Sequence, residues 1–135
     1  MTAVLQPSPA TLVPLLPAEA ERLTVTARRD VPGVVVLAVC GEVDPCTSSQ
    51  LQDRLLAHLR STGPPLIIDL TGVSFLGAAG LTVLVTVRDA AAAARVRLCV
   101  VANTRSVLRP LRITGLNDEF DLHLDLTGAL LRLSG

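Results

Sequence analysis

Hydrophobic positions along this chain change their period repeatedly, and each change marks an element. Leu23-Thr24-Val25-Thr26-Ala27-Arg28 alternates apolar and polar, which predicts a half-exposed strand. Asp30-Val31-Pro32-Gly33 reads as a turn, and the continuous apolar run 34–40 that follows reads as a central strand, so the pair suggests a hairpin. Asp44 is a good helix N-cap and Pro45 suits the first helical position. The predicted helix runs to about Arg60, with Leu51, Leu55, Leu56 and Leu59 on one face. A Ser-Thr-Gly-Pro-Pro break precedes a buried strand over 66–70.

The stretch 69–81 then passes through a turn into a helix over 81–94, where Leu81, Leu84, Val85 and Arg88 share a face. These apolar positions read as core. Residues 96–101 predict another buried strand. Thr104 is placed to cap a third helix that ends at Thr114-Gly115, with Gly115 in a left-handed cap and Pro110 kinking the helix. Residues 120–124 alternate as a short last strand, and 125–133 form a terminal helix. The order β-β-α-β-α-β-α-β-α predicts one α/β domain over 21–135. Its sheet is mixed and mostly parallel, of about five strands with about four helices. Residues 1–20, rich in Pro and small side chains, read as a flexible tail, whose Leu12, Val13, Leu15 and Leu16 can dock on the domain.

Composition narrows the function classes. Half of the 135 residues are hydrophobic, but only two are Phe and none is Trp or Tyr, so the core is aliphatic and stacking on bases is not expected. Zero formal net charge argues against a general nucleic-acid or anionic-membrane binder. All 12 Lys or Arg positions are Arg, which excludes a Schiff-base or P-loop lysine. The start carries four prolines and no basic region, unlike a signal peptide. The most apolar segment, 81–94, is interrupted by Arg88 and Asp89, so no membrane span is predicted and a cytoplasmic location is expected.

Candidate chemistry is sparse. Gly77-Ala78-Ala79-Gly80 leads from a strand into a helix through small residues, where backbone N–H groups are open to a partner or an anion. Glu42, Asp44 and Asp69 are carboxylates with no His or Cys constellation beside them, so catalysis is not expected. Cys40, Cys46 and Cys99 form no CxxC pair; a reducing compartment and inert core thiols fit them. A redox switch is the alternative, with Cys99 on a strand that can neighbour Cys40. His58 and His123 lack ligand spacing and read as surface or edge residues. No metal site or cofactor is expected. Arg105, Arg109 and Arg112 share one side of the third helix, either as a solvated face or as a contact for an acidic partner.

Three short motifs in this order resemble a known family. Gly41-Glu42-Val43-Asp44 followed by Leu51, then 69–81, then Ile113-Thr114-Gly115-Leu116, look like the signatures of the STAS domain, specifically of small bacterial anti-sigma factor antagonists. The resemblance spans roughly 23–133. It implies a non-enzymatic regulator that binds an anti-sigma factor, often a serine kinase of the histidine-kinase-like ATPase fold, and thereby frees a sigma factor for transcription. In such antagonists the kinase phosphorylates a Ser or Thr within Asp-Ser-Ser/Thr/Ala-Gly-Leu at the start of the second helix. Here Gly77 stands where the resemblance places Asp, Ala78 at the phosphoacceptor and Ala79 after it, while Gly80 and Leu81 are retained.

The expected partner surface is therefore Asp44, Gly77, Ala78, Ala79 and Gly80, with exposed Thr82 and Val83 adding to it. Ala78 has no hydroxyl to accept phosphate. The chain is then either a constitutive antagonist or a binding scaffold that has left the kinase circuit. The nearby hydroxyls of Thr71 and Ser74 read as turn or strand-end hydrogen bonders. Asp44 serves equally well as helix cap and as contact. The other functional reading is a STAS-type module that binds a nucleotide or serves a lipid or solute transport complex.

Overall fold

A computed structural model describes residues 22–134. The tail over 1–20 lies outside the described residues. Five strands, β1 (Leu23–Arg28), β2 (Val35–Val43), β3 (Leu66–Leu76), β4 (Leu98–Val101) and β5 (Leu122–His123), form one sheet in chain order. β1 pairs antiparallel with β2; the other three pairings are parallel. Among the described residues there are four α-helices: α1 (Ser48–Leu56), α2 (Ala78–Ala94), α3 (Arg105–Ile113) and α4 (Leu126–Ser134). The expected α/β architecture, strand number and helix number are all present.

The strand order never reverses, so successive crossovers put α1, α2 and α3 on the same face of the sheet. Leu51 and Leu55 of α1, Val83, Leu84, Val87 and Ala91 of α2, and Val107 and Leu111 of α3 close the main core there. They cover Val35, Leu37, Val39, Leu66, Ile68, Leu70 and Val100. On the opposite face α4 packs Ala129 over Val36, Ile67, Cys99 and Val101. Because β2 and β3 have helices on both sides at their centre, residues 35–39 and 66–68 are all apolar. An order without reversal also has no switch-point crevice of the kind that holds dinucleotides.

Several boundaries differ from the sequence reading. β2 continues to Val43 rather than stopping at Cys40, and β3 continues to Leu76 with no turn at 71–74. The two strands carry each other: Gly41 pairs with Val73, Glu42 with Phe75 and Val43 with Leu76, beyond the point where β4 ends. Register shifts beside Cys40 and Glu42 break the alternation that would have announced this extension. Gly41 sits at φ +114°, where a Cβ would collide with the Arg22 carbonyl.

α1 begins at Ser48 and ends at Leu56, not Arg60. At its end His58 N–H bonds to Leu55 and Leu59 N–H to Leu56, a tightening to three-residue spacing that closes the helix. Thr104 holds the N-cap position of α3, but its buried Oγ1 makes no hydrogen bond. Gly115 is left-handed, as expected, and Pro110 lies inside α3. β5 shrinks to two residues because β4 offers only Val100 and Val101 for pairing. Val85 is half-buried; Val83 and Val87 take the core positions of α2 instead.

Gly80 marks where α2 crosses closest to the sheet. A Cβ there would sit 2.5 Å from Leu76 Cδ1 and 2.7 Å from Val43 Cγ1. Val43 is stiff at χ1 and cannot swing aside freely. Gly80→Ala is expected to destabilise the fold by about 1–3 kcal/mol, the usual cost of overpacking, measured by urea unfolding. An unchanged midpoint would show that α2 can shift without loss.

Candidate functional site

Parallel strands β2, β3 and β4 end on the same side of the domain, and the starts of α2 and α3 gather there. Two short connections shape the site. After β2 the chain turns through 44–47 into α1. After β3 it passes through Gly77 alone into α2, the Gly77 N–H donating to the Val43 carbonyl at 3.0 Å. That bond ties the start of α2 to the end of β2. Gly77 is extended (φ −91°, ψ −176°) and its carbonyl accepts from Gly80 and Leu81, closing the first helical turn.

Asp44 organises the first connection. Its Oδ1 accepts from Cys46 N at 2.9 Å and Thr47 N at 3.1 Å, while its own N–H donates to Thr47 Oγ1 at 3.0 Å. Buried Thr47 donates that hydroxyl to the Glu42 carbonyl at 2.8 Å. The N-cap of α1 is Thr47, so Asp44 caps the turn that precedes the helix rather than the helix itself. The Asp44 Oδ2 pairs with Arg22, which also lies 3.7 Å from Glu42. Burial pushes the Asp44 pKa up, but the two backbone N–H groups and Arg22 outweigh it and hold it below the ordinary range.

The expected contact residues separate into two groups. Ala78 and Thr82 are exposed, and Gly77, Ala79 and Asp44 are half-buried at the surface. Gly80 and Val83 are buried, which corrects the reading of Val83 as exposed, although Val83 still lines the cleft between α1 and α2. Helical spacing is the reason: a ridge that shows Ala78 and Thr82 turns Val83, Leu84 and Val87 inward. Ala79, Thr82 and Val83 border a cleft of about 300 Å3 with Ser48, Ser49, Gln52 and Asp53 of α1. The neighbouring hydroxyls bond backbone: Ser74 Oγ to the Gly41 carbonyl at 3.3 Å and Thr82 Oγ1 to the Ala78 carbonyl at 3.2 Å. The Thr71 N–H donates to Asp69 Oδ1 at 2.9 Å.

The carboxylates do not form a catalytic set among the described residues. Asp44 and Glu42 meet Arg22, whereas Asp69 caps the backbone of Thr71 on its own strand. The thiols also divide. Cys40 and Cys46 are exposed, which corrects their reading as core thiols; only Cys99 is buried. Cys40 does not neighbour Cys99, because β3 lies between their strands.

Sequence reading missed the surroundings of Cys99. Its thiol lies 3.3 Å from Asp121 Oδ2, and the other Asp121 oxygen is 2.8 Å from His123 Nε2. These three offer ligand atoms within 4.8 Å of one another. Arg132 Nε donates to Asp121 Oδ2 at 3.3 Å, so a cation there would have to displace a guanidinium. The cluster acts as a clamp that fastens α4 and β5 to β4. Burial, reinforced by Asp121, pushes the Cys99 thiol up to about 12. No sequence spacing signals this cluster, since β-pairing alone brings 99 beside 121 and 123.

Two outcomes follow. Asp44→Asn keeps an acceptor for the turn but removes the charge that pairs with Arg22. Because the Asp44 pKa is lowered on folding, its charge stabilises the fold above the ordinary aspartate value, about 3.9, and the contribution is lost as pH falls through the lower folded value. Wild type should therefore melt above Asp44→Asn at neutral pH, with the gap closing in acid; a gap independent of pH would refute the assignment. In native thiol titration Cys40 and Cys46 should react promptly and Cys99 only after unfolding.

Comparison with known proteins agrees with this geometry. Residues 26–129 match the STAS domain family. The chain is 33% identical over 115 residues to the anti-sigma-F factor antagonist RsfB of Mycobacterium tuberculosis, covering 85% of this chain and 93% of that protein. The crystal structure of an anti-sigma factor antagonist from Mycobacterium paratuberculosis superposes with a TM-score of 0.75 at 32% identity, over 84% of this chain and 95% of that one. A putative anti-sigma factor antagonist from Thermotoga maritima shares the fold, with a TM-score of 0.72 at 15% identity over 87% and 99% of the two chains. With the family match spanning most of the chain and a relative above 30% identity across it, the chain belongs to the STAS domain family.

Proposed function

We propose that this protein is an anti-sigma factor antagonist that binds a kinase-like anti-sigma factor by protein contact and accepts no phosphate at the start of α2. The reading draws on its similarity to proteins named as antagonists. The observation that carries its finer part is the surface at 77–79. Exposed Ala78 and half-buried Ala79 occupy the first turn of α2, and neither has a hydroxyl.

A phosphate there would add about two negative charges and several acceptor oxygens to a surface otherwise formed by methyl groups and backbone. Without an acceptor the surface stays in one charge state. Among the nearby hydroxyls, those of Ser74 and Thr82 donate to backbone carbonyls within the fold. Asp44, pinned by Arg22 and its own turn, holds the neighbouring connection rigid, which limits the ordering cost of binding. The site has no paired nucleophile and base, and we assign it no catalytic role.

The test uses the full chain and each purified kinase-like anti-sigma factor of the source organism, with and without magnesium and ATP. Wild type should form the same complex in both conditions, and mass spectrometry should find no phosphate on 78 or 79. Ala78→Ser or Ala79→Ser should take up phosphate and lose the complex when ATP is added. Release of the unmodified wild-type chain by ATP would overturn the reading, as would failure to bind any of these factors.

A further inference from the structure

The surface just described opens on one side into a groove of about 520 Å3 between the end of β3, the first turn of α2 and α3. Gly77 and Ala78 line it, so it is continuous with the proposed contact. Phe75 and Ile113 stand among its walls, 51% and 72% exposed. The chain has only two aromatic residues, and the other, Phe120, is packed against the core beneath Arg88. Leaving the second one in water beside an exposed isoleucine forgoes burial that the fold uses elsewhere.

Arg105 and Arg109 also border the groove, with Arg112 next along α3. Among the described residues, Arg22, Arg28, Arg88 and Arg132 each have a carboxylate within 4.0 Å; these three have none, nor do Arg29, Arg54, Arg60, Arg95 and Arg97, but these three lie together on one short helix. α3 contains no acidic residue. Arg105 is its first residue, where a positive charge opposes the helix dipole and gives the helix nothing. A row of uncompensated guanidinium groups beside an apolar groove is complementary to an acidic segment with a projecting apolar side chain.

We propose that this groove is a second half of the anti-sigma factor contact. It takes an apolar side chain between Phe75 and Ile113, and Arg105 and Arg109 pair with carboxylates flanking that side chain. The inference rests on the antagonist reading above and names the chemistry of the partner's segment. The α2 start would then set the position of the partner, while the groove supplies apolar burial and the arginines supply charge selection.

The experiment measures affinity of the full chain for the purified kinase-like anti-sigma factors by biolayer interferometry over a range of salt. Ile113→Asp and Phe75→Ala should each weaken binding about tenfold or more, as loss of a central apolar contact does. Arg105→Glu with Arg109→Glu should weaken it comparably and flatten the salt dependence. Arg60→Glu, exposed at the other end of the domain, should bind as wild type. The substituted side chains are largely exposed, and circular dichroism melts check that each variant folds. If wild type binds and all groove variants match it, the groove proposal is wrong while the antagonist reading stands. If wild type binds none of the factors, both fall. A homodimer seen by light scattering and abolished by Ile113→Asp would overturn the proposal in favour of a second copy of this chain.

Discussion

The parallel ladder between β2 and β3 is the constraint on which the rest depends. It runs from Val35 beside Leu66 to Val43 beside Leu76 and outlasts both the antiparallel register of β2 with β1, which reaches Gly41, and the parallel register of β3 with β4, which reaches Asp69. Its far end sets where both functional connections begin. Val43 contributes the carbonyl that receives the Gly77 N–H and the side chain against which Gly80 packs. One residue therefore anchors the start of α2 by a hydrogen bond and by contact. The Gly77 N–H and carbonyl are both satisfied within the domain, whereas no side chain caps the first turn of α2.

Around that anchor the molecule separates packing from recognition within a few residues. Gly80, Val83 and Leu84 hold α2 to the sheet, while Ala78 and Thr82 show on the outside. Asp44 belongs to both sides of the division: it organises a turn and stands at the rim of the site. The contact surface proposed at 77–79 is made largely of methyl groups and backbone and has little chemistry of its own. On that proposal, specificity comes from shape and from charges carried on neighbouring elements such as the arginines of α3.

Much of the architecture was legible because the core is aliphatic and strongly patterned. The apolar runs at 34–40, 66–70 and 96–101, broken only by Asp69 and Arg97, are short enough to read as buried strands, and α2 is rich in residues that favour helix. What misled the reading were places where two elements share the decision. The extension of β3 to Leu76 passes through Thr71, Gly72 and Ser74, which alone resemble a turn; pairing with β2 holds them extended. Val83 looked like an exposed neighbour of Thr82 until the packing of α2 against the sheet gave it a facing.

The amino-acid sequence by itself determined the element order, the aliphatic core, the small-residue start of α2 and the absence of a hydroxyl at 78 and 79, since these are local properties of residue type and spacing. Only the tertiary structure decided that Phe75 and Ile113 line one groove and that Arg105 and Arg109 border it with no carboxylate partner among the described residues. It likewise brought Cys99 to Asp121 and His123 while keeping it from Cys40. Those facts join residues more than twenty positions apart. Strand pairing and helix packing, which no short stretch encodes, bring them together.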